Sequence, residues 1–468
     1  MSDIRYLKFK MNMIIQCERD KKNYIFLIII TLLIFSINIY GQNTLTLSDA
    51  ILKGLENGKN IKAGKLDVSI SKLYTQAMYR KYWPKISAEY TYLYNPILPT
   101  SILPIGLFNP AYPIDATKGV QFGTKWTQSA GITVIQPLLD FSIRKQINEA
   151  TLQEAMAKTS QDQVEYDLAY IISQKYIDIF LDEAKIQSLI ADTNRTYISY
   201  TLLKNKYEEK RLLKSDLNNA IINHNNTVQL WSDGIHVLIT NKIYLLYLMG
   251  SDEGANWNFR VDTTFINKYP LGTMNDSMHD TNLPELQYLD LQLRLTQLQV
   301  SSENVKHLPT IDFKGFLGAN QYENSFQPVA TNSWFGLSYL GVEIELPILF
   351  GESTQNKIQQ LKLQSDQYRF QKEDKILQNS NEIILARLNM ANMKTQLKTQ
   401  EQNILLSLES IDIFQARVKE GQESAANLNT EEAKLQVMKA TMAWTEKQRY
   451  MYWLDNLKSS GQLITLWN

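Results

Sequence analysis

The sequence has little cysteine or histidine and no excess of basic residues. Lys and Arg number 48 together, as do Asp and Glu, so the basic excess typical of a nucleic-acid partner is absent. Its single cysteine, Cys17, lies near the N-terminus, and its four histidines are scattered over segments of different type. We found no metal-ligand spacing, phosphate-binding loop or nucleophile elbow. The sequence therefore predicts no enzyme, no cofactor, no metal site and no nucleic-acid binding.

Long apolar runs are almost absent as well. The one clear run, Ile25 to Tyr40, follows a basic segment and precedes Gly41, the order typical of a secretory signal peptide over residues 1–41. Its 16 residues are fewer than the roughly 20 that a spanning helix needs, and a retained signal anchor is the alternative. Cleavage would remove Cys17 and leave no disulfide. An exported chain without a spanning helix is periplasmic, secreted or inserted in an outer membrane as strands.

Two segments of the chain repeat one pattern at a nearly constant offset. Pro137 and Pro347 lie 210 residues apart in similar contexts, and Leu217 and Leu428 lie 211 apart. Such constancy indicates an internal duplication with units of matched length. We place the first unit at residues 45–250, a connector at 251–282 with one short strand around 258–261, and the second unit at 283–462.

Each unit has the order helix, strand, loop, strand and long helical stretch. Helical spacing runs from Leu47 to Tyr82, where Pro84 ends it. Alternating apolar and polar residues predict strand pairs at 86–94 with 126–136 and at 309–317 with 336–346. The stretches 142–249 and 352–457 contain no proline and repeat apolar residues as coiled coils do. Since one helix of about 100 residues would run about 150 Å, each stretch is expected to be a hairpin.

Four amphipathic strands cannot close a barrel within one chain. Unpaired backbone groups at an open edge cost several kcal/mol each in hydrocarbon, and the smallest barrels have about eight strands, so several chains must contribute. We expect charge on one face and aromatic residues on the other; strands of a soluble sandwich are the alternative. The charged residues are Glu89, Asp312, Lys314, Glu343 and Glu345. The aromatic residues are Tyr90, Tyr92, Tyr94, Trp126, Phe313, Trp334 and Phe335.

This layout, repeated after a signal peptide, resembles the TolC-like outer-membrane efflux protein family over about Leu45 to Gln462. The turns Gln136-Pro137-Leu138-Leu139-Asp140 and Leu346-Pro347-Ile348-Leu349-Phe350 are similar to those of the family, as is the opening Leu45 to Ile51. The resemblance implies a mixed α and β membrane protein. Four strands from each of three chains would complete a twelve-stranded β-barrel, and the long antiparallel helical hairpins would form an α-barrel.

The same resemblance implies a passive duct rather than an enzyme. It would be a homotrimer in the outer-membrane lipid of a Gram-negative bacterium, with its helical tunnel in the periplasm. A periplasmic adaptor (membrane fusion) protein and an inner-membrane pump would be its partners, in a tripartite efflux or type I secretion system. The alternative is a periplasmic coiled-coil adaptor or scaffold, which would be expected to show a single hairpin flanked by glycine-rich β modules.

The resemblance also implies where the functional residues lie, at hairpin tips near 211–215 and 422–426. Lys210 stands where the family has a glycine, and the second tip departs from the tyrosine, arginine and aspartate of some members. Asp216 also suits a helix N-cap. The residues expected at the aperture and adaptor-docking tips are Leu212, Leu213, Ser215, Asp216, Gly421, Glu423 and Asn427. The residues expected to compensate the charge of Asp216 and Glu423 are Lys210, Arg211, Lys214 and Lys419. The second-tip departures are Val418, Glu423 and Asn427.

Overall fold

The computed structural model describes residues 44–251, 258–262, 283–328, 334–348 and 352–467. The predicted signal peptide and most of the predicted connector lie outside these residues. The helices are α1 (Leu47–Asn57), α2 (Lys59–Tyr79), α3 (Phe141–Glu208), α4 (Lys214–Leu248), α5 (Pro284–Val305), α6 (Glu352–Glu420) and α7 (Ala425–Ser459). The strands are β1 (Thr44–Leu45), β2 (Lys85–Tyr94), β3 (Thr100–Leu103), β4 (Lys118–Gln121), β5 (Trp126–Leu139), β6 (Arg260–Val261), β7 (Thr310–Glu323) and β8 (Trp334–Glu345).

The two helical hairpins have arms of unequal length that match between the halves of the chain. Helices α3 and α4 have 68 and 35 residues, and α6 and α7 have 69 and 35. At about 1.5 Å per residue each long arm extends about 100 Å. The short arms cover only the half of each long helix nearest the tip. In the other half, α2 packs on α3, and α5 packs on both α3 and α6.

Local signals explain where the first helices begin and end. The Thr46 hydroxyl caps α1 by accepting a hydrogen bond from the backbone N–H of Asp49 at 3.1 Å. The predicted single helix from Leu47 to Tyr82 is interrupted at Gly58, whose extended ψ of 127° separates α1 from α2. A short 3₁₀ turn at Arg80–Tyr82 then precedes Pro84, where helical structure has ended.

The main sheet has the strand order β2-β5-β7-β8, and every neighbouring pair is antiparallel. One row across it joins Tyr92, Gln128, Gln321 and Trp334. Within the described residues, β2 and β8 each pair on one side only. Both outer strands of the sheet therefore present an unpaired edge.

The register separates the sheet into an aromatic face and a charged face. The aromatic face carries Tyr90, Tyr92, Tyr94, Trp126, Phe313 and Trp334, and the charged face carries Glu89, Asp312, Lys314, Glu343 and Glu345. Lys314 and Glu343 form an ion pair on the charged face. The prediction was wrong for Phe335, which pairs with Asn320 on the charged face. Adjacent residues of a strand point to opposite faces, so Phe335 cannot share a face with Trp334.

The segment predicted as a loop between β2 and β5 has structure of its own. Strands β3 and β4 form a separate two-stranded antiparallel sheet there, with a 3₁₀ turn at Ile105–Leu107 between them. Ile97, Phe108 and Ile114 of this segment are each about four-fifths exposed. The segment therefore projects from the end of the main sheet that lies away from the helical hairpins.

The largest apolar core joins parts of the chain that are distant in sequence. Tyr176 of α3 is fully buried, and its hydroxyl donates to the carbonyl oxygens of Leu45 at 2.8 Å and Asp262 at 3.0 Å. These bonds hold the parallel pair β1 and β6 against α3. Leu463 and Leu466, after α7, are buried in the same core. The first strand, the described part of the connector and the C-terminal segment thus meet around the middle of α3.

Candidate functional site

The first hairpin tip is a left-handed turn built on a lysine. Helix α3 ends at Glu208, and Lys210 has a φ of 60°, the only positive φ of a non-glycine residue in the described chain. The backbone N–H of Arg211 donates to the Lys206 carbonyl at 2.8 Å, and that of Lys210 donates to the Tyr207 carbonyl at 2.9 Å. This pair of bonds is a Schellman motif, which satisfies two carbonyls at the helix end.

The second tip repeats this turn with glycine at the left-handed position. Gly421 has a φ of 78°, and its N–H donates to the Val418 carbonyl at 3.1 Å. The N–H of Gln422 donates to the Arg417 carbonyl at 2.9 Å. Lys210 and Gly421 therefore occupy equivalent positions in two turns of the same type. Glycine is the residue that this conformation ordinarily favours.

The helices that leave the two turns begin differently. Ser424 caps α7, and its hydroxyl accepts hydrogen bonds from the N–H groups of Ala426 at 3.1 Å and Asn427 at 3.4 Å. The N-cap of α4 is Leu213, which has no side-chain cap. The expectation that Asp216 is an N-cap was therefore wrong, because α4 begins two residues before it. Asp216 lies in the first turn, where its charge favourably meets the positive end of the helix dipole.

The two predicted aperture acids have different surroundings. Glu423 accepts hydrogen bonds from the Ser424 N–H at 3.0 Å and the Asn427 side-chain amide at 2.8 Å, and Arg417 lies 3.8 Å away. The backbone hydrogen bond from Ser424, the Asn427 bond and the Arg417 charge lower the pKa of Glu423. Asp216 is partly buried and has no side-chain hydrogen bond or ion pair to the described residues.

None of the four predicted compensating residues pairs with either acid inside one chain. Arg211 lies 3.3 Å from Glu209, and both side chains are exposed. Lys210, Lys214 and Lys419 form no ion pair within the described residues. If these residues offset the negative charge of Asp216, they would have to do so between copies of the chain. This role stays a prediction.

An apolar cluster holds the two tips side by side. Leu212 packs against it, whereas Leu213 is 70% exposed. Val418, at a position where some relatives carry tyrosine, is 2% exposed and belongs to this cluster. The buried members are Leu203, Ala220, Ile411, Val418, Ala425, Leu428 and Leu435. The cluster contains residues of α3, α4, α6 and α7. The two tips therefore pack together as the end of a four-helix bundle.

A buried polar layer adjoins the apolar cluster on the same helices. Glu432 is 1% exposed and accepts a hydrogen bond from the Ser199 hydroxyl, which in turn accepts one from Gln415 at 3.0 Å. Burial is the main cause that raises the pKa of the Glu432 carboxyl, and the nearby Asp192 charge adds to it. Hydrogen bonds from Ser199 and Gln415 and the charge of Arg195 act in the opposite direction.

The same layer contains a buried carboxylate with two cationic partners. Asp192 is 3% exposed, with Arg195 at 2.7 Å and Lys439 at 2.6 Å. Two nitrogen atoms of Arg195, Nε and Nη2, are buried without a hydrogen-bond partner. Sequence reasoning missed this layer, because polar residues on a long helix show no sign of burial until the partner helix is known.

The described histidines and helices have other surroundings and lengths than a metal site or a membrane-crossing helix would require. In the described part of the chain, no group of three or more His, Cys, Asp or Glu residues is placed to hold a metal ion. His224 instead stacks on Tyr200, with ring centres 6.2 Å apart, and its Nδ1 lies 3.2 Å from the Thr196 hydroxyl. No helix of the described residues combines the length and the apolar character needed to cross a membrane.

Comparison with known proteins gives a partial match to one family model and a shared fold. Residues 279–450 match the outer membrane efflux protein family. The solved structure of CusC has a TM-score of 0.71 at 14% identity, covering 90% of this chain and 92% of that one. VceC from Vibrio cholerae has a TM-score of 0.67 at 12% identity, covering 89% and 96%. CmeC from Campylobacter jejuni has a TM-score of 0.68 at 12% identity, covering 89% and 85%.

The comparison with curated proteins found no match. At identities of 12–14%, the likeness to solved channels shows a shared fold. Together with the family match, it confirms the resemblance predicted from the sequence.

Proposed function

We propose that this chain, which resembles the TolC-like outer-membrane efflux proteins, is a duct that passively conducts solutes across the outer membrane of a Gram-negative bacterium. It acts as a homotrimer in which each chain gives four strands to a twelve-stranded β-barrel in outer-membrane lipid. The helical hairpins form an α-barrel in the periplasm. A periplasmic adaptor protein and an inner-membrane pump complete a tripartite efflux or type I secretion system, and the duct itself catalyses no reaction.

The observation that carries this proposal is the four-stranded sheet with an apolar face and two unpaired edges. Ile86, Leu317, Leu340 and Val342 project on the aromatic face and are each 60–79% exposed. Lipid would cover such a face, and pairing β2 with β8 of a neighbouring copy would satisfy both edges. The charged face would then line an aqueous lumen.

The alternative of a periplasmic adaptor or scaffold explains less of the molecule. Long helical hairpins are common to both functions. An adaptor has no evident use for a β-sheet whose exposed residues are apolar on one face and charged on the other. The sheet also continues directly into the helices, since Asp140 follows β5 and caps α3 by accepting from the Ser142 N–H at 2.7 Å.

Planar-bilayer recordings test conduction directly. We expect purified protein lacking residues 1–41 to give stable, uniform conductance steps without nucleotide or a pump. A folded trimer that inserts into the bilayer and gives no conductance would contradict a duct. Protein-free detergent at the same dilution is the control for leakage caused by detergent.

The tips are the proposed aperture, and the two acids there allow a graded test. Three copies of Asp216 near one axis would attract cations, whereas Glu423 is already engaged by Ser424, Asn427 and Arg417 within its own chain. We expect Asp216→Asn to reduce cation selectivity and block by divalent cations more than Glu423→Gln does. Selectivity is measured as the reversal potential in a salt gradient. Unchanged selectivity and block in both variants would exclude an acidic aperture.

A further inference from the structure

A polar cleft of about 850 Å³ lies between α3, α6 and α7 where the first turn of α5 closes one side. One face of each helix lines it, with residues spaced three or four apart. This volume is in the range of pockets that hold drug-sized molecules, roughly 300–1,000 Å³. The cleft is far along α3 and α6 from the hairpin tips and shares no residue with the proposed aperture.

The cleft carries more acidic than basic groups. Asp167 pairs with Lys458 at 3.1 Å, and Glu285 pairs with Lys375 at 2.9 Å. The two other carboxylates that line it, Glu382 and Asp455, have no cationic partner within 4.0 Å among the described residues.

Neutral donors make all the hydrogen bonds to these two carboxylates, and the Lys458 charge acts on Asp455 from beyond 4.0 Å. Glu382 accepts from Ser459 at 2.7 Å and Gln378 at 2.9 Å, and Asp455 accepts from the Tyr170 hydroxyl at 2.5 Å. Burial is the main cause that raises the pKa of Asp455, and the Glu382 charge adds to it. The negative charges of two nearby carboxylates repel each other, and a cation bound near both would stabilise their ionised forms.

A buried amide gives an independent indication of a ligand. Asn379 lines the cleft beside Gln378, and the residue is 7% exposed. Its side chain makes no hydrogen bond to any described residue. Amides of nearly buried residues ordinarily have hydrogen-bond partners in folded proteins. Asn379 is therefore placed to accept or donate a hydrogen bond to a molecule in the cleft.

We infer that this cleft binds an aromatic organic cation with N–H donors. Glu382 and Asp455 would offset its charge, Asn379 would bond its N–H group, and Tyr166, Tyr170 and Tyr452 would contact its ring. Lys458 lies 4.5 Å from the centre of the Tyr170 ring, so a cationic ligand in contact with that ring would have to displace the lysine or lie beside it. An anion of the same size would meet uncompensated carboxylates and is rejected. The inference goes beyond the proposed duct and does not depend on conduction.

Ethidium, an aromatic cation with exocyclic amines, is a suitable probe because its fluorescence rises on binding. We expect saturable binding to the purified chain in detergent above the level of empty micelles. The double variant Glu382→Gln with Asp455→Asn should weaken binding at least about tenfold, and Asn379→Leu about fivefold, from the loss of charge and of one hydrogen bond. Fluorescein, an aromatic anion, should not compete.

Glu409→Gln is the matched control, since Glu409 is an exposed acid on α6 outside the cleft. It should bind ethidium as the parent does, and circular dichroism should show that all variants remain folded. No saturable binding, or equal affinity in folded parent and double variant, would overturn the inference. Displacement by Mg²⁺ with no effect of Asn379→Leu would assign the carboxylates to a metal ion and also overturn it. Conductance is measured on the same protein preparations. A preparation that conducts but does not bind ethidium would contradict the cleft inference and leave the proposed duct standing.

Discussion

At the scale of single residues, Lys210 carries the left-handed backbone that Gly421 carries in the other tip. The left-handed conformation costs a residue with a Cβ about 1–2 kcal/mol, whereas glycine adopts it with little strain. We expect Lys210→Gly to stabilise the first turn by up to about 1 kcal/mol, after the greater flexibility of glycine in the unfolded chain is included. Slower hydrogen exchange at the amides of Lys210 and Arg211 would show it.

The control for that experiment adds a side chain at the glycine of the second tip. Gly421→Ala should destabilise the second turn by about 1 kcal/mol and speed exchange at the amides of Gly421 and Gln422. Both variants should leave exchange in the other tip unchanged. If Lys210→Gly accelerated exchange, the lysine side chain would be contributing contacts that exceed the strain of its backbone.

Glu432 gives a second prediction at the scale of single residues. Because the carboxyl is buried, the stability of the folded protein should fall as the pH rises. Its pKa is raised above the ordinary value of 4.5, so the folded state holds the proton more tightly than the unfolded chain. The resulting stabilisation is complete below pH 4.5 and is lost as the pH rises through the raised pKa. Relative to the parent, Glu432→Gln should therefore gain thermal stability as the pH rises from about 4 to 7.

Thermal midpoints measured across this pH range check the prediction. Glu409→Gln, which changes an exposed acid, should follow the parent with a nearly constant offset. A difference between Glu432→Gln and the parent that stayed constant or shrank with rising pH would contradict a buried, protonation-linked carboxyl.

At the scale of secondary-structure elements, the register of the main sheet places adjacent residues of a strand on opposite faces. In the proposed barrel one face would contact lipid and the other would contact water. Val134 pairs with Ile86 on the aromatic face, and Thr133 pairs with Ser87 on the charged face. Both are partly buried. We expect Val134→Lys to impair assembly in the outer membrane by about 2–4 kcal/mol, and Thr133→Lys to be tolerated.

The yield of folded protein in the outer-membrane fraction measures this difference. Equal tolerance of lysine at the two positions would show that the faces are not divided between lipid and water. Lower tolerance at Thr133 would show that they are reversed. A slip of one residue exchanges the faces, so the pair of variants also tests the register.

The elements that sequence could predict are those with local signals. Alternation in residues 86–94 marks a strand because only a two-faced element repeats every second residue, and Gly421 marks the second tip because it suits a left-handed turn. Both expected tips, 211–215 and 422–426, overlap the first two residues of the helix that follows, because α4 begins at Lys214 and α7 begins at Ala425. Glu432, Asn379 and Asp455 acquire their roles from which helix faces meet, and no local pattern records that contact.

At the scale of the whole molecule, the open sheet predicts the oligomeric state. Two neighbouring copies would pair with the two free edges of the four strands, and the proposed function expects three chains in all. We expect light scattering of the protein in mild detergent to give three chains per complex, and cell fractionation to place it in the outer membrane. A monodisperse monomer stable without detergent would contradict both expectations.

The matched arm lengths constrain how this molecule can change in evolution. The tips share one apolar cluster, so Leu203 and Leu212 of one hairpin must reach the same height as Val418 and Leu428 of the other. Deleting seven residues from each arm of one hairpin would withdraw its tip by about 10 Å and remove it from the cluster. We therefore expect insertions and deletions in the arms to be tolerated only when both hairpins change by the same length, so that the cluster at the tips is kept.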